Sequence, residues 1–147
     1  MQYSLVDSAA VIGLNSARLK IVNASPLPTD LFKLIKASGY CKPAKCFDNS
    51  WAIVNSGLLL NAQYVLALGV KVLPVEHALI YFNGAYYDPT WEINLGSVGV
   101  EYLVIEQWAK SDLIEAANAS RNQNGNIYPP MIVNLKQSLQ FKYLFDV

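Results

Sequence analysis

An Asn83-Gly84 pair separates two short apolar runs, residues 75–82 and 85–88, and constrains the fold more than any other feature of the chain. Both central residues of a type I′ turn need a positive φ, and Asn-Gly accepts that geometry at the lowest cost. The sequence therefore predicts a β-hairpin with a two-residue loop. In its register Phe82 faces Ala85 and the pairing runs back along both strands from there.

This register places the single histidine of the chain, His77, beside an acid. Counted back from the turn, Leu79 faces Asp88 and His77 faces Thr90. Side chains two positions apart share a face, so His77 and Asp88 become diagonal neighbours with Cβ atoms under about 7–8 Å apart. An imidazole can reach a carboxylate over that separation. The alternative is a turn aspartate and a core histidine bonded to a backbone carbonyl, since a loop one residue longer moves Asp88 to the other face.

Cys46 supplies a third chemical group, at the predicted start of a helix over residues 46–60. Thiolate is the nucleophilic form of cysteine, and the partial positive charge of a helix N-terminus lowers the pKa of a thiol placed there. Lys45 adds a neighbouring cation. A helix-start cysteine packed on a strand that carries histidine is the arrangement that thiolate–imidazolium catalysis needs. Two alternatives remain open, a small buried cysteine and a nucleophilic Ser50, whose hydroxyl nothing in the sequence activates.

The order of the remaining elements predicts an α+β fold, with helices first and mostly antiparallel strands afterwards. The predicted elements are a helix over 8–20 capped by Asp7 or a strand over 19–22, a helix from Thr29 as cap to Gly39, the helix over 46–60, a strand over 63–72, the hairpin, a strand over 101–105, a helix over 106–118, a polar loop over 119–126 and a strand over 139–146. We expect residues 1–147 to form a single domain.

Composition excludes several classes of function. The formal net charge is zero and no cluster of Lys and Arg occurs, so a basic surface for nucleic acid or an anionic membrane is not expected. The sequence shows neither a secretory leader nor an apolar run of about 18 residues. We therefore expect a protein of the cytoplasm of the producing cell, or of a host cell if a virus carries the gene. There Cys41 and Cys46 would stay reduced.

Four short blocks resemble a group of small bacterial and phage proteins. They are CFDNS at 46–50, YVLALG at 64–69, PVEHA at 74–78 and YDPTW at 87–91. The group carries C-F-x-N-A, a strand with Tyr and Gly, P-[VI]-E-H-A-W and V-x-D-P-T-W in that order. It resembles the transglutaminase-like and papain-like cysteine hydrolase superfamily, and the resemblance spans residues 40–92. Leu79 and Ser50 depart from the pattern, which has Trp and Ala at those positions.

The resemblance implies a papain-like or transglutaminase-like fold, with a helix-start cysteine packed on an antiparallel sheet. It implies Cys46 as nucleophile, His77 as base and acid, and Asp88 as the group that orients the imidazole. The oxyanion would be held by the Cys46 backbone N–H and one side-chain donor, for which Asn49 is a candidate. Four aromatic residues are candidates to line the substrate cleft, and the core is their alternative location. They are Trp51, Tyr64, Tyr81 and Trp91.

The leading hypothesis is a cysteine-dependent acyl-transfer enzyme that works through a thioester on Cys46. It would act on a protein or peptide substrate, by hydrolysis of a peptide, isopeptide or side-chain amide or by transfer to an amine, and it uses no cofactor or metal. The alternative is a non-catalytic protein-binding module of phage or mobile-element origin on the same fold. A third hypothesis is a zinc site, because Cys41, Cys46, His77 and Asp88 offer four ligands, although the Cys-x₄-Cys spacing is loose.

Overall fold

The computed structural model describes residues 4–121 and 124–146, and these form an α+β fold around an antiparallel sheet. The helices are α1 (Leu5–Val11), α2 (Thr29–Ser38), α3 (Cys46–Asn55), α4 (Pro89–Leu95), α5 (Lys110–Ala119) and α6 (Ile132–Lys136), with 3₁₀ helices at Ser16–Arg18 and Leu139–Leu144. The strands are β1 (Lys20–Val22), β2 (Gln63–Val70), β3 (Pro74–Phe82), β4 (Ala85–Tyr87) and β5 (Glu101–Ala109).

The sheet has the strand order β1-β5-β2-β3-β4, and its strand pairs are antiparallel. It curls until its two edges approach each other. Just after β1, Ala24 forms a bridge to Tyr86 of β4, and the Ser25 N–H donates to the Tyr86 carbonyl at 2.7 Å. The curl therefore gives the sheet an inner face and an outer face.

Each face of the sheet has its own apolar cluster. The outer face carries the larger cluster, and α1, α2, α3, α5 and α6 all contribute buried side chains to it. The inner face carries a small cluster that includes Ala67, Leu79 and Tyr102, with Trp91 of α4 packed against it. Because side chains alternate along a strand, His77 shares the inner face with Leu79. The short helix α4 thus brings its residues to the histidine.

The predicted hairpin is confirmed up to the end of its second strand. Phe82 pairs with Ala85 and Tyr81 with Tyr86, and both Asn83 and Gly84 have a positive φ. The prediction that the strand runs on through Asp88 is wrong, because Asp88 is instead the N-cap of α4 and Pro89 is the first residue of that helix. Proline has no N–H to donate to the strand ladder and is favoured at the first helical position.

Several other predicted boundaries shift. The alternative prediction of a strand over 19–22 is confirmed as β1. The helix near the N-terminus begins earlier than predicted and has Ser4 as its N-cap. Gly39 ends α2 as predicted, but the N-cap is Pro28 and Thr29 is the first residue of the helix. Helix α3 ends at Asn55, ahead of Gly57 with its positive φ.

In the C-terminal third, one predicted boundary is shifted and one predicted strand is wrong. The strand predicted over 101–105 continues to Ala109 as β5, so the helix begins only at Lys110. A shift in register between Leu66 and Ala67 of β2 interrupts the alternation that marks β5. The strand predicted over 139–146 is a 3₁₀ helix over Leu139–Leu144. The polar loop predicted over 119–126 includes residues 122 and 123, which lie outside the described residues; Ala119 belongs to α5.

Among residues 4–121 and 124–146, none of the helices combines the length and the apolar character needed to span a membrane.

Candidate active site

Cys46 is the first residue of α3 and is half-buried. Two residues before it, Ala44 has a φ of 59°, a left-handed backbone conformation that residues other than glycine rarely adopt. Lys45 stands at the N-cap and provides no side-chain capping bond to the helix. The first N–H groups of a helix have no partner within it, so the thiol lies beside donors that can stabilise negative charge on sulfur or on an oxyanion.

Asn49 holds the loop before α3 to the start of α4. Its Oδ1 accepts from the Lys42 N–H at 3.2 Å, and its Nδ2 donates to the Lys42 carbonyl at 2.9 Å and to Thr90 Oγ1 at 3.1 Å. The residue is 2 % exposed. Both amide hydrogens are therefore already used, and the prediction of Asn49 as oxyanion donor is wrong. Asn49 instead fixes the distance between the helix that carries Cys46 and the helix that Asp88 caps.

His77 meets both of its predicted partners. Its Nε2 lies 2.8 Å from Asp88 Oδ2, and the Cys46 thiol is among the neighbouring groups that raise the pKa of the imidazole. Because Nε2 binds the carboxylate, Nδ1 is the nitrogen left to exchange a proton with a thiol. The Trp91 ring stacks on the imidazole with a centroid separation of 3.9 Å and an interplanar angle of 24°. The structure thus joins an imidazole and a carboxylate from separate segments, and it places the thiol of a third segment near enough to affect the pKa of the ring.

Asp88 accepts hydrogen bonds from three donors. Oδ2 receives His77 Nε2–H and the Tyr102 hydroxyl, the latter at 2.5 Å, and Oδ1 receives the Trp91 backbone N–H at 3.1 Å. The side chain is fully buried. An ionised carboxylate is the one form of this group that accepts from all sides and donates to none. Capping α4 and holding the imidazole are thus done by the same residue.

The environment of His77 favours the protonated ring. Burial lowers the pKa of the imidazole, but the hydrogen bonds to Asp88 and Cys46 and the negative charge of these groups outweigh it and raise the pKa to about 9. The raised pKa favours the imidazolium at neutral pH, with Nε2–H toward Asp88. This is the acid form that can protonate a leaving group.

The raised pKa makes the free energy of unfolding depend on pH. The unfolded value is about 6.5 and the folded value is higher, so the protonated ring stabilises the folded state fully below pH 6.5. We expect this stabilisation, at most about 3 kcal/mol, to be lost as the pH rises from 6.5 to about 9. Urea unfolding across that range should show the loss, and the His77→Gln protein should lack it. Parallel curves for the two proteins would contradict the assignment.

The second cysteine lies in a different environment. Burial, and to a lesser degree the negative charge of Asp88, raise the pKa of the Cys41 thiol to about 12. Cys41 is in the loop before α3 and, like Cys46, is half-buried. Ser50 is 1 % exposed within α3, which leaves its hydroxyl no access to a substrate. Among the described residues, no three His, Cys, Asp or Glu side chains are grouped so that they can hold a metal ion, so the zinc hypothesis has no site there.

The predicted cleft aromatics divide between the site and the core. Trp91 is at the site, stacked on His77. Tyr64 is fully buried on the outer face, where its hydroxyl donates to the Pro130 carbonyl at 2.8 Å, so its prediction as a substrate-contacting residue is wrong. Trp51 packs against the outer core cluster and Tyr81 against the inner one. For Tyr64, Trp51 and Tyr81 alike, the core was the alternative location.

Tyr102 is the residue of the site that the sequence did not reveal. It lies on β5, is fully buried, and its hydroxyl also accepts from the Gly99 N–H at 2.6 Å. Burial and the nearby Asp88 raise the pKa of the phenol. The hydroxyl therefore keeps its proton at neutral pH and donates it to Asp88. A tyrosine within an apolar strand was the available signal, since a buried hydroxyl requires a partner.

A scan of protein-family models, a search of curated proteins and a search of solved structures each give no match to this chain.

Proposed function

We propose that the protein is a cysteine-dependent acyl-transfer enzyme that forms a thioester on Cys46. The observation that carries the proposal is the position of His77 between the Asp88 carboxylate, at 2.8 Å, and the Cys46 thiol. Nucleophile, base and orienting acid in contact are the signature of an activated nucleophile. The antiparallel sheet and the helix-start cysteine further support a papain-like or transglutaminase-like fold.

The acylation step uses His77 as the proton carrier between Cys46 and the substrate. The sulfur, having given its proton to His77 Nδ1, attacks the substrate carbonyl carbon, so a C–S bond forms and the carbonyl π pair moves to oxygen. Unpaired N–H groups at the start of α3, that of Cys46 first, stabilise this oxyanion. When the tetrahedral intermediate collapses, the C–N bond breaks and Nδ1–H protonates the leaving amine. Asp88 keeps its bond to Nε2–H throughout.

The second half of the reaction returns the enzyme to its starting state. His77, now neutral, takes a proton from the acceptor, which adds to the thioester carbonyl and expels the sulfur. Water as acceptor gives hydrolysis of a peptide, isopeptide or side-chain amide, and an amine gives transfer. The two outcomes share every step up to the thioester, so the same residues serve both.

Selective alkylation tests this proposal directly. We expect iodoacetamide at pH 6 to label Cys46 at least about 100-fold faster than Cys41, because thiolate is the reactive form and the raised pKa of Cys41 leaves almost none of it ionised. Mass spectrometry of the peptides that contain each cysteine measures both rates in one sample.

Urea-unfolded protein is the control for this experiment, since both thiols should react there at similar rates. Equal and slow labelling in the folded state would overturn the proposal and would favour the protein-binding module instead.

A further inference from the structure

Gly69 and Gly99 make room for a buried group behind the Asp88 carboxylate. A Cβ on Gly69 would lie 3.1 Å from both Trp91 and Tyr102, and one on Gly99 would lie 2.8 Å from Trp91 and 3.0 Å from the Tyr102 hydroxyl. The two rings can therefore close over the end of β2 only because both positions lack a side chain. Asp88 and Tyr102 are both fully buried beside these rings.

The Tyr102 hydroxyl has one direction available for its proton. The Gly99 N–H donates to its oxygen at 2.6 Å, and the oxygen in turn donates to Asp88 Oδ2 at 2.5 Å. That carboxylate oxygen is the same one that binds His77 Nε2. Two donors thus share one acceptor oxygen. The hydrogen bond from the phenol therefore reduces the electrostatic stabilisation that this oxygen gives to the imidazolium.

We propose that Tyr102 is a positioning residue that sets the basicity of His77 through Asp88. A second donor on Oδ2 weakens the interaction of that oxygen with the imidazolium. The phenol therefore keeps the ring from holding its proton too tightly to release it. This role rests on the proposed function, because it matters for catalysis only if His77 transfers a proton to and from a substrate.

The charged and titratable groups around His77 determine what else can change the pKa of its imidazole. Asp88 at the start of α4 binds it directly, Cys46 at the start of α3 lies near enough to affect its pKa, and Tyr102 of β5 acts through Asp88. Lys71 lies further away, with Nζ 6.0 Å from the centroid of the Trp91 ring and bonded to Ser97 Oγ. Removal of the Tyr102 hydroxyl alone leaves all of these in place.

The test is an NMR titration of the imidazole, which is unambiguous because the chain contains a single histidine. We expect Tyr102→Phe to raise the pKa of His77 by roughly 0.5. The matched control is Tyr64→Phe, which removes a fully buried hydroxyl from the outer face of the same sheet and should leave the titration unchanged. With an acyl substrate, Tyr102→Phe should also lower kcat by about tenfold, leave KM unchanged and move the pH profile upward.

An unchanged His77 titration in Tyr102→Phe would overturn the proposal and leave Tyr102 as a core residue. A shift in Tyr64→Phe as large as that in Tyr102→Phe would also contradict it, since the Tyr64 hydroxyl bonds to the Pro130 carbonyl and not to Asp88. Neither titration needs a substrate. A protein whose Cys46 proved unreactive, yet whose His77 responded to Tyr102→Phe, would refute the acyl-transfer function and retain the coupling.

Discussion

Cys46→Ala is expected to abolish acyl transfer, with a fall in kcat of about 10⁵-fold or more, because removal of a covalent nucleophile leaves only binding and oxyanion stabilisation. A p-nitrophenyl ester is a suitable first acyl donor, since its leaving group needs little help from the enzyme. The wild type should release a burst of p-nitrophenolate equal to one thioester per chain, and the variant none. The free energy of unfolding should change by no more than about 1 kcal/mol, as Cys46 is half-buried.

Cys41→Ala is the matched control for this variant. It removes a thiol of similar exposure from the loop before the same helix, and its burst should equal that of the wild type. Cys46→Ala should also lower the pKa of His77, because the thiol is one of the groups that raise it. A full burst in Cys46→Ala would exclude Cys46 as the nucleophile, and an unmoved His77 would show that the sulfur does not face the ring.

The contact between His77 and Asp88 was predictable because the signal for it is local. Asn83-Gly84 lies between His77 and Asp88, which are only eleven positions apart in the chain. The contact is nevertheless made differently from the prediction. Asp88 leaves the strand to cap α4, and it reaches the histidine from a helix start rather than from the facing strand. Asp followed by Pro was the available sign of that helix.

The contributions of Tyr102 and Asn49 were not predictable because they depend on tertiary distances. Tyr102 pairs with Gly69 of β2, and nothing local states that these strands are neighbours. In the sequence Asn49 is an ordinary helix residue, and nothing local predicts its hydrogen bond to Thr90. The strand predicted at the C-terminus was wrong for another reason. Its apolar residues alternate, but the buried ones are Phe141 and Leu144, three apart, which is the period of a 3₁₀ helix.

Asp88→Asn is expected to have the second largest effect, a loss of about 10³–10⁴-fold in kcat. The reason is the count of donors around the side chain. His77 Nε2–H and the Tyr102 hydroxyl point at Oδ2, and the Trp91 N–H points at Oδ1. An asparagine has a single oxygen, so its NH₂ must face a donor whichever way the amide is turned. Either α4 loses its cap or the imidazole loses its acceptor. The free energy of unfolding of the variant should therefore fall by about 1–3 kcal/mol.

The matched control is Asp112→Asn, which replaces an exposed carboxylate in the first turn of α5 and should change neither stability nor rate appreciably. The His77 titration identifies which bond has been lost in Asp88→Asn. If the amide turns its NH₂ to the imidazole, the pKa of His77 falls from about 9 toward or below its ordinary value, because burial then acts unopposed by the carboxylate. If the NH₂ faces Trp91 instead, the neutral oxygen still meets the ring and the fall is smaller. An Asp88→Asn protein with wild-type rate and wild-type titration would mean that the carboxylate has no part in holding the imidazole.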